Sequence, residues 1–269
     1  EHEVPRAKYP VVDFHGHPRG LDSPERLAEL GDAMDGLNIR LMIAANDVTG
    51  ERLRSTLAAI EASPRMRDRV RVMTGIDFDG VGEPGWAERE VARLEGAAAA
   101  GAVGIGEISK RLGLSIRKAD GSRLRIDDPV MDPVWEAAAR LELPVFIHTG
   151  DPAEFFEPLD YHNERWLELA LFPRRRYPPD EYPSFEQLVA ERDNLFRRHP
   201  ETTFVTAHLG WQGHDLGRLG RLLDELPNVY TEIGAVLYEI GRQPRTAHDF
   251  FERYQHRILF GKHSFHPRA

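Results

Sequence analysis

Eight short apolar runs, each followed by a longer amphipathic or polar stretch, constrain the fold of this chain more than any other feature. They lie at Val11 to His15, Ile39 to Ala45, Val70 to Phe78, Ala102 to Ile108, Pro144 to His148, Thr202 to Ala207, Val229 to Ile233 and Arg257 to Phe260. Helical patterns fill most of the gaps, from Pro24 to about Gly36, Thr49 to Ala62, Trp86 to Ala100, Val130 to Leu141, Ser184 to Arg198, Leu216 to Leu226 and Ala247 to Tyr254. Short continuous apolar strands between helices indicate a parallel sheet buried on both faces. Eight such units in 269 residues match the size of a (β/α)8 barrel. An open doubly wound sheet is the competitor, but no Gly-rich phosphate-binding turn follows the first strand. The expectation is one α/β barrel domain over residues 1–269, with an insertion at about 150–183. That insertion is rich in Pro, aromatic and charged residues, and Lys110 to Asp128 reads as a second, smaller irregular excursion.

Composition narrows the function classes. The 35 basic residues against 44 acidic ones leave a net charge of −9, with no long basic run, so nucleic acid and anionic membrane are poor partners. There is no cysteine, which excludes thiol catalysis, disulfides and thiolate metal sites. The longest small-apolar run, Gly96 to Ile108, is too short to span a bilayer. No signal peptide is visible at Glu1, so the chain is expected to be soluble, either cytoplasmic or exported after removal of a leader. The expected partner is a small-molecule substrate, and a homo-oligomer is compatible with the sequence.

In a barrel the active site forms at the C-terminal strand ends, and histidines recur there. His15 and His17 end the first strand, His148 ends the fifth, His208 follows the sixth and His263 lies just past the eighth. The period of two in a strand places His15 and His17 on one face, where two imidazoles can chelate a borderline metal such as zinc. Asp13 shares that face. A single strand-end histidine is usually a hydrogen-bonded loop residue, but four strand ends carrying histidines point to a metal site. Glu107 and Glu232, near the ends of the fourth and seventh strands, are candidates either for buried polar residues or to line the pocket. Phe155, Phe156 and Trp166, in the long insertion, are candidates for its wall or lid, since long loops inside compact domains are usually functional. His162 and His214 lie on loops facing the expected mouth.

Four segments, Asp13-Phe14-His15-Gly16-His17, Ile147-His148-Thr149, Ala207-His208-Leu209-Gly210 and Ile258-Leu259-Phe260-Gly261, together resemble the amidohydrolase-related metal-dependent barrels typified by aminocarboxymuconate-semialdehyde decarboxylase. The likeness continues through Lys110 to Leu114, Asp127 to Pro129, Asn163 to Trp166 and Pro183 to Glu186, so it covers nearly the whole chain. The resemblance implies His15, His17 and His148 as ligands of one divalent ion, usually zinc, and His208 as an acid/base group beside it. The family's last functional residue is an Asp after Phe-Gly-x. Here Phe260-Gly261-Lys262 is followed by His263, which is expected as a further ligand and catalytic group. Family members usually continue with a helical segment, which this chain, ending at Ala269, is expected to lack.

The family includes hydrolases, lactonases, hydratases and decarboxylases. The leading expectation is a metal-dependent hydrolase of a small carboxylated or cyclic substrate. A non-oxidative decarboxylase on the same scaffold is the alternative, and a barrel that binds without turnover is the third reading.

Overall fold

The computed structural model describes residues 5–263. Eight strands form one parallel sheet in chain order: β1 (Val11–Gly16), β2 (Ile39–Val48), β3 (Val70–Thr74), β4 (Ile105–Ile108), β5 (Val145–Ile147), β6 (Phe204–Thr206), β7 (Val229–Glu232) and β8 (Ile258–Leu259). The end of the sheet returns to its start. The Phe14 N–H donates to the Phe260 carbonyl (2.9 Å) and the His263 N–H to the His15 carbonyl (2.8 Å). The architecture is a (β/α)8 barrel.

Among the described residues ten α-helices lie between the strands: α1 (Pro24–Leu37), α2 (Gly50–Glu61), α3 (Trp86–Ala100), α4 (Arg111–Leu114), α5 (Asp132–Arg140), α6 (Trp166–Leu171), α7 (Phe185–Arg198), α8 (Leu216–Glu225), α9 (Leu237–Gly241) and α10 (Pro244–Tyr254). Local chemistry sets several boundaries. Ser23 caps α1 by accepting from the Arg26 N–H, Pro24 supplies its first turn, and Asn38 ends it in the left-handed region. Ser184 caps α7 through the Gln187 N–H at 3.1 Å. None of the helices among the described residues is long and apolar enough to cross a membrane.

Alternation along β2 divides the core. Met42 and Ala44 pack outward in a cluster with Leu27, Leu30 and Leu53. Ile43 and Ala45 turn inward with Met73, Phe146, Val205 and Ala207 and fill the barrel. A larger cluster joins the remaining helices to the sheet around Trp135, Phe196 and Phe204.

Several strand ends differ from the sequence reading: β2 runs on to Val48 rather than Ala45, β3 stops at Thr74 rather than Phe78, and β4 starts at Ile105 rather than Ala102. Lys110 to Asp128 holds α4 and an antiparallel bridge between Arg117 and Arg123. The insertion is partly ordered by its own structure, with α6 and short 3-10 turns at Ala153–Phe155 and Pro173–Arg175.

Candidate metal centre

Strand ends bring the predicted histidines to one mouth. The rings of His15 and His263 each lie 4.6 to 5.2 Å, centroid to centroid, from one another and from those of His17 and His208, and His148 stands 4.7 Å from His208. Phe146 forms the floor, edge-on to His15 at 4.7 Å.

Glu107 is the hub of this arrangement. Its Oε2 lies 3.1 Å from His15 Nε2 and 3.2 Å from His17 Nε2, while its Oε1 lies 2.7 Å from His148 Nδ1 and 3.6 Å from His208 Nε2. Among the described residues the donors fall into three overlapping groups: His15, His17, His263 and Glu107; Glu107, His148 and His208; and His15, His208 and Glu232. Glu107, expected to line the pocket, stands among the candidate ligands, and His148 meets His15 and His17 through its carboxylate. The two oxygens give Glu107 the capacity to serve one ion or to bridge two.

Glu232 stands as a buried polar residue, one of its two expected places. It is fully buried behind the histidines, where its Oε1 accepts from His15 Nδ1 (2.9 Å) and from the His208 N–H (2.7 Å), and its Oε2 accepts from the Gly234 N–H (2.5 Å). It holds the His15 ring and the His208 backbone in place. Asp13 does similar work at the barrel seam, accepting from the His15 and Lys262 N–H groups at 3.1 Å each.

These contacts decide whether a cation fits. His15 gives its Nδ1 proton to Glu232, so a neutral ring presents its Nε2 lone pair to a Glu107 oxygen and to His17 Nε2 3.0 Å away. Lone pairs so placed repel unless a proton or metal ion lies between them. Burial disfavours a charge on His15, yet hydrogen bonds to Glu107 and Glu232 outweigh it and push its pKa up to about 9. A proton fills the position when no metal does. For Glu107, burial would raise the pKa, but the His148 charge and the histidine hydrogen bonds hold it well below the usual carboxylate range. His208 donates Nδ1 to the Gly234 carbonyl (2.7 Å), leaving a buried Nε2 with no hydrogen-bond partner. Burial pushes the His208 pKa down, keeping the ring neutral. Burial and the neighbouring histidines push His263 down to about 3. Neutral imidazole nitrogens around an ionised carboxylate are the donor chemistry of zinc and similar divalent ions.

The loop that carries His208 is unusual. His208, Leu209, Gly210 and Trp211 all have φ between +53° and +59°, a left-handed turn. L-residues pay about 1–2 kcal/mol each for that conformation, so surrounding contacts must hold it. The turn also places Trp211 Nε1 3.3 Å from His148 Nε2.

The insertion reaches the mouth through residues that sequence reasoning missed. Asp151 Oδ1 lies 4.0 Å from His148 Nε2, and Oδ2 accepts from Lys110 Nζ and the Tyr177 hydroxyl, both at 2.5 Å. Phe156 stacks on Tyr177 at 4.7 Å. Phe155 is buried beneath the Arg165 guanidinium, and Trp166 is half exposed at the start of α6. Asp151 stands three residues after His148, a spacing that could have flagged it. Tyr177 and Lys110 carried no such signal. His162 is exposed and packs on Tyr161, and His214 packs on Phe185.

Solved structures similar in fold include an uncharacterised TIM-barrel protein from Bordetella bronchiseptica (14% identity, 96% of this chain and 86% of that one, TM-score 0.55). A dihydroxybenzoic acid decarboxylase from a Polaromonas species, solved with bound manganese and an inhibitor, matches at 14% identity over 95% of this chain and 86% of that one, TM-score 0.57. A 4-oxalomesaconate hydratase from Rhodopseudomonas palustris matches at 15% identity over 96% and 83%, TM-score 0.52. These likenesses bear on the fold. A search of the curated proteins finds no match. The amidohydrolase family model matches residues 5–268. This chain belongs to the amidohydrolase family.

Proposed function

We propose that this protein is a metal-dependent hydrolase acting on a small carboxylated or cyclic substrate. The observation that carries this reading is the Glu107 carboxylate shared by His15 and His17 on one side and His148 and His208 on the other. A buried carboxylate among imidazoles, one of them with an unpartnered nitrogen and one whose proton an ion would displace, is a donor set suited to a divalent ion, with zinc the leading choice. Such an ion supplies Lewis acidity, acidifying water and polarising the bond to be broken. His15, His17, His148, His263 and Glu107 are the residues proposed to hold it, with His208 completing the Glu107–His148 side of the set.

The chain's own groups supply the rest. With Nδ1 committed to the Gly234 carbonyl, His208 has only Nε2 available to accept and return a proton. Glu232 fixes His15 and the His208 backbone so that neither needs to reorganise during turnover. Lys110, half exposed beside Asp151, offers an ammonium for a substrate carboxylate. Phe156, through its stack on Tyr177, is the insertion residue best placed to cover the mouth, with Phe155 buried beneath Arg165 and Trp166 towards solvent.

The test is a panel of carboxylated lactones, cyclic amides and aromatic carboxylates presented to zinc- and manganese-loaded protein. Proton release reports hydrolysis and carbon dioxide evolution reports decarboxylation. Hydrolysis that is lost with a chelator and restored by metal is the expected result. Carbon dioxide release without hydrolysis would transfer the reading to a decarboxylase, and metal binding without turnover to a binding protein.

A further inference from the structure

Arg192, on α7, is wholly buried and lies outside the histidine cluster, yet its guanidinium is spent on the turn that carries His208. Nη1 donates to the Gly210 carbonyl at 2.9 Å, and Nη2 donates to Gln212 Oε1 at 3.2 Å and to Asp193 Oδ1 at 2.7 Å. Nε also donates to Asp193 Oδ1, at 3.0 Å, so the carboxylate balances the charge and fixes the plane of the fork. Burying a guanidinium is costly unless its donors are satisfied, and here they are satisfied by the segment 210–212 and the neighbouring Asp193.

That segment continues the left-handed turn 208–211. The turn is held at its start by the His208 N–H donating to Glu232 and at its end by Arg192. Between these anchors, His208 Nε2 faces Glu107 at 3.6 Å and Trp211 Nε1 faces His148 at 3.3 Å. Gly210 is required as much for space as for its φ of +59°. A Cβ there would lie 2.4 Å from Arg192 Nη1 and 2.9 Å from Thr206 Oγ1.

We propose that Arg192 is a positioning residue for the metal centre, acting through the left-handed turn to aim His208 at Glu107. The inference rests on the metal-dependent reading above. It predicts energetic coupling between Arg192 and His208, two side chains for which no mutual contact is needed. Positioning partners of metal ligands typically matter by 10–100-fold in affinity, and residues acting through one network are non-additive.

The test is a double-mutant cycle on zinc affinity, measured by competition with a chelating dye, in Arg192→Lys, His208→Ala and the double variant. Cobalt(II) absorption spectra of the same proteins report ligand geometry. Arg192→Lys is expected to weaken zinc by about tenfold and to shift the cobalt spectrum. In the His208→Ala background the same substitution is expected to change affinity by less than about twofold. A role in stability alone would leave the cobalt spectrum unchanged and lower affinity equally in both backgrounds, which would overturn the proposal. Should Arg192→Lys fail to fold, Gly210→Ala, which displaces the guanidinium from the other side, replaces it in the cycle under the same criteria. Wild-type protein that binds no zinc would overturn both this inference and the metal-dependent reading. Zinc binding with an additive cycle would overturn this inference alone.

Discussion

His15 donates its Nδ1 proton to Glu232 across 2.9 Å, between two fully buried side chains from opposite ends of the sequence. This hydrogen bond decides which nitrogen of His15 faces the cluster. Glu232 also accepts from two backbone N–H groups, so a Gln in its place would turn an NH2 towards at least one donor. Glu232→Gln is expected to weaken zinc binding 10–100-fold and to destabilise the fold by about 1–3 kcal/mol. Metal affinity by competition titration and urea unfolding check both. Wild-type affinity in the variant would show that His15 orients without it.

The pKa of His15 makes metal binding a proton-releasing event. Without metal its folded-state pKa is about 9, above the ordinary 6.5. Zinc binding at pH 7.5 is therefore expected to release a proton from His15, measured by calorimetry in buffers of different ionisation enthalpy. The linkage sign follows. A raised pKa gives the metal-free protein stability that is fully present below pH 6.5 and is lost as pH rises through 9. In metal-free protein, this pH-dependent contribution should vanish in His15→Ala.

His263 stands among His15, His17 and His208 with its pKa pushed down to about 3, so it is neutral at physiological pH. A carboxylate there would add an anion beside the cation and a stronger proton acceptor. His263→Asp is expected to raise the hydrolytic kcat by about tenfold or more, the scale of general-base catalysis. An unchanged or lower kcat in a folded, metal-loaded variant would identify histidine as the working residue.

Tyr177 ties the insertion to the mouth through Asp151 and through its stack on Phe156. Tyr177→Phe keeps the stack and loses the hydrogen bond, a change of about 1 kcal/mol. Limited proteolysis should cut faster within residues 156–183, with metal content unchanged. Equal cutting rates would show that the hydroxyl does not hold the segment.

Much of this was legible in the chain because it is local. The eight apolar runs and their helices recover the barrel, since strand and helix periods are written into neighbouring residues. Strand-end placement recovers all five cluster histidines. Glu107 and Glu232 were visible as strand-end acids, but their roles depend on which way a closed barrel turns them, and that depends on pairings across the sheet. Arg192 was invisible, being one of several arginines on an amphipathic helix. Its meaning comes from a turn reached only when α7 packs against the loop after β6.

Glu107 is proposed as the shared carboxylate of the metal site, from its contacts with four histidines. The direct measurement is metal content by inductively coupled plasma mass spectrometry after zinc loading and gel filtration, comparing wild type with Glu107→Ala. The account predicts at least about one ion per wild-type chain, as a closed His/Glu donor set requires, and less than about a tenth of that in a variant with an intact far-ultraviolet spectrum. Folded Glu107→Ala that retains the wild-type zinc content would contradict it.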